Sequence, residues 1–189
     1  DNENNFSKSE VPMAAAVLND LPEVEEAARL ACRRDILVSN NDTRLIEEEI
    51  WYADASIFNI FDYGLILGDK AGVLKDPYSV VIARNTALKY FGDADPIGKS
   101  LEIGENKELY RITGILDDIP FNSHLQFTIL ASFNSLDIAK RPERYWGDFT
   151  RAYTYLLLRK GTDINSFRDK FTSFSRKYVG LMMQKNLGQ

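Results

Sequence analysis

The chain has 189 residues, of which 44% are hydrophobic and 27% charged, with 23 Lys and Arg against 28 Asp and Glu for a net charge of −5. That length buries a sizeable core as one domain or two small ones, in a composition of the soluble globular type. Basic residues interspersed with acids leave no cationic face for nucleic-acid phosphates, and a single cysteine (Cys32) and histidine (His124) exclude a disulfide framework and a structural zinc site.

No apolar run approaches the roughly 20 residues that a spanning helix needs, and no signal peptide is recognisable. The opening DNENNFSKSE is a polar lead-in without a methionine, which reads as the start of a piece cut from something longer. VPMAAAVLND predicts a helix with proline in its first turn. PEVEEAARLACRRDILVSN carries two signals: Glu and Ala favour a helix through Cys32, while DILVSN closes on β-branched residues. An Asn-Asn-Asp turn at residues 40–42 follows, and TRLIEEEIWYAD then pairs with the preceding run as antiparallel strands. ASIFNIFDYGLILGD predicts a short helix and a turn, YSVVIA a short buried strand, and RNTALKYFG a helix.

GDADPIGKS, residues 92–100, ends in the Gly-Lys-Ser of a nucleotide-binding P-loop. The spacing does not fit, because the pattern needs one residue fewer between Gly92 and Gly98. The order of elements is also inverted, with a helix before the loop and a strand after it. Asp93 and Asp95 would face a polyphosphate, and Pro96 lacks a donor. The stretch therefore reads as a helix-to-strand turn, with Gly92 just past the helix.

KSLEIG and ELYRITGILDDI predict a hairpin around Glu105-Asn106, which makes residues 51–119 β-rich. HLQFTILASF predicts a strand, NSLDIAKRPERYWGD a polar connection, and TRAYTYLLLRKG a strand closed by Gly161. TDINSFRDKFTSFSRKYV places Ile164, Phe167, Phe171, Phe174 and Tyr178 on one helical stripe, capped by Thr162 or Asp163. Its polar face is not strongly basic, so the stripe is expected on the core and not on a membrane surface.

Few residues invite chemistry. Glu47-Glu48-Glu49 suggests paired carboxylates or calcium, yet on a strand only Glu47 and Glu49 share a face, and no EF-hand spacing surrounds them. A solvated strand face is the expected reading. His124 stands beside Ser123 and near Asp117 and Asp118. Adjacent Ser and His cannot easily aim at each other and no G-x-S-x-G elbow exists, so a turn with His124 bonded to backbone is expected over a hydrolase site. Cys32 reads as a small apolar residue. Tyr145, Trp146, Phe149, Tyr153 and Tyr155 suggest either a ligand platform or strand core, with core expected. No catalytic, cofactor-binding or metal-binding residue is assigned, no cofactor is expected, and ligand-binding residues stay open.

Three blocks carry a likeness: FNIFDYGLILGDKAGVLKDPYSVVIARNTALKYFGDADPIGKSLEI, YRITGILDDIPFNSHLQFTILASF and WGDFTRAYTYLLLRKGTDINSFRDKF. Together they resemble the MacB-like periplasmic core domain of ABC-transporter permeases of the MacB/FtsX type, especially the long permeases of the Bacteroidetes. The resemblance implies an α+β fold in two parts. Residues 1–50 and 120–189, from both chain ends, form a porter-like part, and residues 51–119 form an inserted, β-rich, sabre-like part. It also implies a strand for VEEAARLAC, against propensity. By family, the domain lies outside the cytoplasmic membrane between two membrane helices and has no catalytic residue. ATP hydrolysis belongs to a separate cytoplasmic domain or subunit, and a second permease copy completes a dimer. Some relatives add a periplasmic adaptor or envelope protein. The implied role is mechanotransmission for export, lipoprotein extraction or cell-wall hydrolase control. The alternatives are a free periplasmic ligand-binding or adhesion module with its aromatics near Trp146, or a hydrolase using His124.

Overall fold

The computed structural model describes residues 8–40, 43–117, 119–146, 148 and 151–187, with side chains as far as residue 178. Its longest strand, β1 (Val24–Asn40), occupies the stretch where helix propensity and the family resemblance disagree, and the strand prevails. The reason is burial on both faces. Ala27 packs against one cluster of apolar side chains, Ala28 and Leu30 against a second, and Ala31 and Val38 against a third. Small alanines suit such close packing, and tertiary contacts override their weak preference for helix.

The remaining elements are α1 (Met13–Asp20), β2 (Thr43–Ala53), α2 (Ile57–Ile60), β3 (Leu65–Leu67), β4 (Ser79–Ala83), α3 (Arg84–Phe91), β5 (Ser100–Ile103), β6 (Glu108–Leu116), β7 (Ile129–Ser132), α4 (Asp137–Lys140), β8 (Tyr153–Leu158) and α5 (Ile164–Leu187). The predicted hairpins are present. β1 and β2 are antiparallel from Leu30↔Ala53 to Asn40↔Thr43, and β5 and β6 from Ser100↔Arg111 to Ile103↔Glu108. The Asn41 and Asp42 of the predicted turn lie outside the described residues. Two expectations need correction. HLQFTILASF becomes a strand only from Ile129, and the connection after it holds α4 and two 3-10 turns, Phe133–Ser135 and Pro142–Tyr145.

One mixed sheet joins all eight strands. Leu30 pairs with Ala53 and with Tyr153, so β2 and β8 flank opposite edges of β1; Val38 likewise pairs with Leu45 and with Ile103. From β5 the pairing runs to β6, β4 and β7, and the parallel β7–β2 contact at Trp51–Ala53 returns it to the start. Six strands thus form a closed circuit, with β3 on the side of β6 and β8 outside. Alternation along β4 shows the two sides: Val80 and Ile82 share one cluster with Ile50, Tyr52, Leu101 and Ile112, while Val81 faces Leu130, Phe58 and Phe127 in another. The architecture is mixed α and β, with the sheet dominant.

α5 docks as its stripe predicts, with one exception. Phe174 is buried against Val17 of α1 and Val24 of β1, and Phe167, Phe171 and Tyr178 pack beside it, but Ile164 is 53% exposed. Asp163 is the cap: its Oδ1 accepts the Ser166 N–H at 2.7 Å, which holds the carboxyl below its ordinary range.

Candidate functional site

The Gly-Lys-Ser loop spends amides on its own turn and on the flanking α3 and β6. Gly92 N–H bonds Leu88 O at 2.9 Å, Ile97 N–H bonds Asp95 Oδ1 at 3.0 Å, Gly98 N–H bonds Ile112 O at 2.9 Å and Lys99 N–H bonds Pro96 O at 3.1 Å. No row of N–H groups is left to cradle a phosphate there, and the stretch is the expected joint between α3 and β5.

The other singled-out residues are dispersed. His124 bonds the Tyr155 hydroxyl at 3.1 Å and lies against the Phe61 ring, in place of the backbone bond expected. Burial pushes the Tyr155 phenol up, so it serves as a neutral partner. Asp118 falls outside the described residues. Burial, then the Glu49 charge, pushes the Cys32 thiol up, which suppresses its nucleophilic form. The aromatic set separates: Tyr145 packs on the circuit's core, Trp146 stacks on Tyr178 at 4.7 Å, Tyr153 meets Trp51 at 6.1 Å and Tyr155 meets Phe61 at 5.1 Å. Phe149 lies outside the described residues. Among the described residues, no group of three His, Cys, Asp or Glu could hold a metal ion, and no helix is long and apolar enough to cross a membrane.

The glutamate run has more structure than a solvated face. Glu47 is held by Lys89 at 2.7 Å and by the Tyr90 hydroxyl of α3, and Glu49 by Arg34 at 2.6 Å and Trp51 Nε1 at 3.3 Å; Glu48 is exposed. Burial, together with the Glu47 carboxylate, pushes the Tyr90 phenol up, so it donates and does not ionise. Ile46, Glu47, Glu48 and Glu49 line one wall of a cleft of about 750 Å³. Ala83 of β4, Asn85 and Lys89 of α3, Asp117, Ile119 and Gln126–Thr128 line the rest.

Two further constellations escape the residue pattern. Arg29 and Asp54 form a two-pronged pair, Nε–Oδ2 and Nη2–Oδ1 both at 2.8 Å, with the guanidinium 4.2 Å from the Phe133 ring centroid. Asp54 also accepts the Arg29 backbone N–H at 2.9 Å and returns its own to Arg29 O at 3.2 Å, fastening the exit of β2 to β1. The second is the seam under α5, where Lys170 bonds Glu23, and Lys177 and the Tyr178 hydroxyl bond Asp20 at 2.7 and 3.0 Å. Such pairs leave no periodic trace in a sequence, because their partners stand far apart along the chain.

Comparison with known proteins gives a consistent answer. A family model described as the MacB-like periplasmic core domain matches residues 2–174. A domain assigned to a permease protein of Porphyromonas gingivalis is 25% identical, with 92% of this chain and 72% of that one covered and a TM-score of 0.77. The periplasmic region of MacB from Actinobacillus actinomycetemcomitans is 13% identical over 92% and 76% of the chains, with a TM-score of 0.66. The extracellular domain of the noncanonic ABC-type transporter YknZ from Gram-positive bacteria is 16% identical over 98% and 87%, with a TM-score of 0.56. The last two show likeness of fold alone. No curated protein sequence matches the chain.

Proposed function

The chain belongs to the MacB-like periplasmic core domain family, and from that membership we propose that it relays ATP-driven motion across a membrane without chemistry of its own. It is a MacB-like periplasmic domain of an ABC-type permease. In this reading the permease is anchored in the cytoplasmic membrane, hydrolysis occurs in a cytoplasmic ATPase domain or subunit, and a second permease copy provides the counterpart against which the domain moves. The division into a porter-like part, 1–50 and 120–189, and a sabre-like part, 51–119, belongs to the same proposal. The Ser9–Ala152 bridge and the β1–β8 ladder support it by uniting the two chain ends.

The observation that carries the reading is the course of β1. A relay needs a stiff path from where motion enters to where contacts change. At about 3.3 Å per residue, a 17-residue strand spans roughly 50 Å. It begins under α5, crosses all three apolar clusters and ends beside β5. Motion delivered through α5 therefore reaches the β1–β2 hairpin through packed and hydrogen-bonded contacts.

The test uses the full-length permease reconstituted with its ATPase. A spin label at Leu45, near the hairpin's turn, is expected to change its distance to the same label in the second copy when ATP binds. Phe174→Ala, which loosens α5 from β1, is expected to shrink that change roughly tenfold while ATP hydrolysis continues. Ile164→Ala, on the exposed end of the stripe, should leave both intact. An undiminished change in the Phe174 variant would overturn the relay.

A further inference from the structure

The sheet circuit has a gap. β2 pairs with β1 from Thr43 to Ala53, but with β7 only through Trp51, Tyr52 and Ala53. Continuing that parallel register backward would set Glu47 opposite Gln126 and Glu49 opposite Thr128. These residues instead stand on opposite walls of the 750 Å³ cleft. Among the described residues, the outer edge of β2 from Arg44 to Ile50 has no backbone partner. In an antiparallel ladder, alternate residues point their N–H and C=O groups away from the partner strand, so this edge presents open donors and acceptors to the cleft.

The surroundings fit an extended guest. Ile46 is 67% exposed in the cleft wall and Leu45 beside it is 39% exposed, which offers apolar contact for alternate side chains. The lining holds four carboxylates, Glu47, Glu48, Glu49 and Asp117; Lys89 pairs with Glu47 and Arg34 with Glu49, so two cations stand against the four and Glu48 is the carboxylate exposed to a guest. Gln126 in the far wall bonds the Pro120 and Ser123 carbonyls at 2.8 and 3.1 Å. That bracing stiffens the turn that presents Phe121, 97% exposed. A rigid wall, an open strand edge and an excess of negative charge select a segment that is extended and basic.

We propose that the cleft between Ile46–Glu49 and Gln126–Thr128 receives an extended, lysine- or arginine-bearing segment of a partner protein, which adds to the open edge of β2. This is strand addition, with backbone bonds giving affinity and side chains giving selectivity. The proposal rests on the permease reading for the existence of a partner outside the membrane.

The test titrates the isotope-labelled chain with two synthetic octapeptides, one alternating lysine and valine and the other glutamate and valine. The basic peptide is expected to shift the amide signals of residues 44–50 and 126–128. It should also slow hydrogen exchange by about tenfold at those amides of 46–49 that point away from β1, at a concentration about ten times its Kd. The acidic peptide should do neither. Glu48→Lys, an exposed change that leaves the fold alone, should weaken the basic peptide by about fivefold. Equal effects of both peptides, signal changes confined elsewhere, or no binding would each overturn the proposal. So would sedimentation showing a dimer in which those same amides are already protected, because the occupant would then be a second copy. Because the isolated chain is used, failure here leaves the spin-label result for the relay standing, and the reverse also holds.

Discussion

At the scale of single residues, several side chains are placed by geometry that their neighbours in sequence do not reveal. Gly68 has φ +104°, and a Cβ there would meet Thr113 O at 2.7 Å and Gly114 Cα at 2.9 Å. Backbone cannot yield as a flexible side chain can, so Gly68→Ala is expected to cost about 3 kcal/mol in urea unfolding. Gly104 has φ +82° but open space around it, so Gly104→Ala should cost only about 1 kcal/mol, the conformational part alone. Equal losses would show that crowding at Gly68 is relieved by a backbone shift. The dispersal of the candidate chemistry belongs to this scale too. His124 and Cys32 are visible in the sequence as residue types, but their company, a tyrosine hydroxyl for one and a strand neighbour for the other, comes only from the fold.

At the scale of elements, the stripe of α5 was legible because its period matches a helix that buries one face, and the β1–β2 and β5–β6 pairs because their turns are marked. The start of β1 was not, since burial on both faces erases the alternation by which strands are recognised. The opposite error occurs before β7. Leu125 and Phe127 are buried and Gln126 is exposed, an alternation that reads as a strand, yet no strand pairs with this stretch among the described residues. The cleft could not be read for the same reason, since it exists only where an expected pairing is missing. α5 also carries a pH prediction. Hydrogen bonds from Lys177 to Asp20 and from Lys170 to Glu23 hold both carboxyls below their ordinary 3.8 and 4.5. Their stabilising effect is complete above the ordinary values and is lost as pH falls through the lower folded ones. In a Trp51→Phe chain, Trp146 emission should therefore report loss of its Tyr178 stacking as the pH falls below the ordinary 3.8 of Asp20, while the far-ultraviolet signal of the sheet persists. Simultaneous loss of both signals would show that α5 is not separately released.

At the scale of the whole molecule, the closed circuit ties residues from both proposed parts into one ladder system, with β2 crossing the 50/51 boundary. Core strands that share faces in this way should melt together. In a Trp146→Phe chain, fluorescence of Trp51 and far-ultraviolet circular dichroism are expected to trace one coincident urea transition, and two separated midpoints would mean that the parts hold together independently. The same topology joins distant stretches of chain, which places refolding in the millisecond-to-second range on the order of other sheet-rich domains. The placement of the chain ends has a mechanical consequence. Val24 faces Leu158, so the polypeptide enters β1 and leaves β8 at the same end of their ladder. Traction on the two ends would pry that ladder apart rung by rung, the weakest direction in which to load it. Asp20 with Lys177, and Glu23 with Lys170, bolt across this mouth. A tug on the termini is therefore borne by these ion pairs and by the Ser9–Ala152 bridge before the β1–β8 rungs give way.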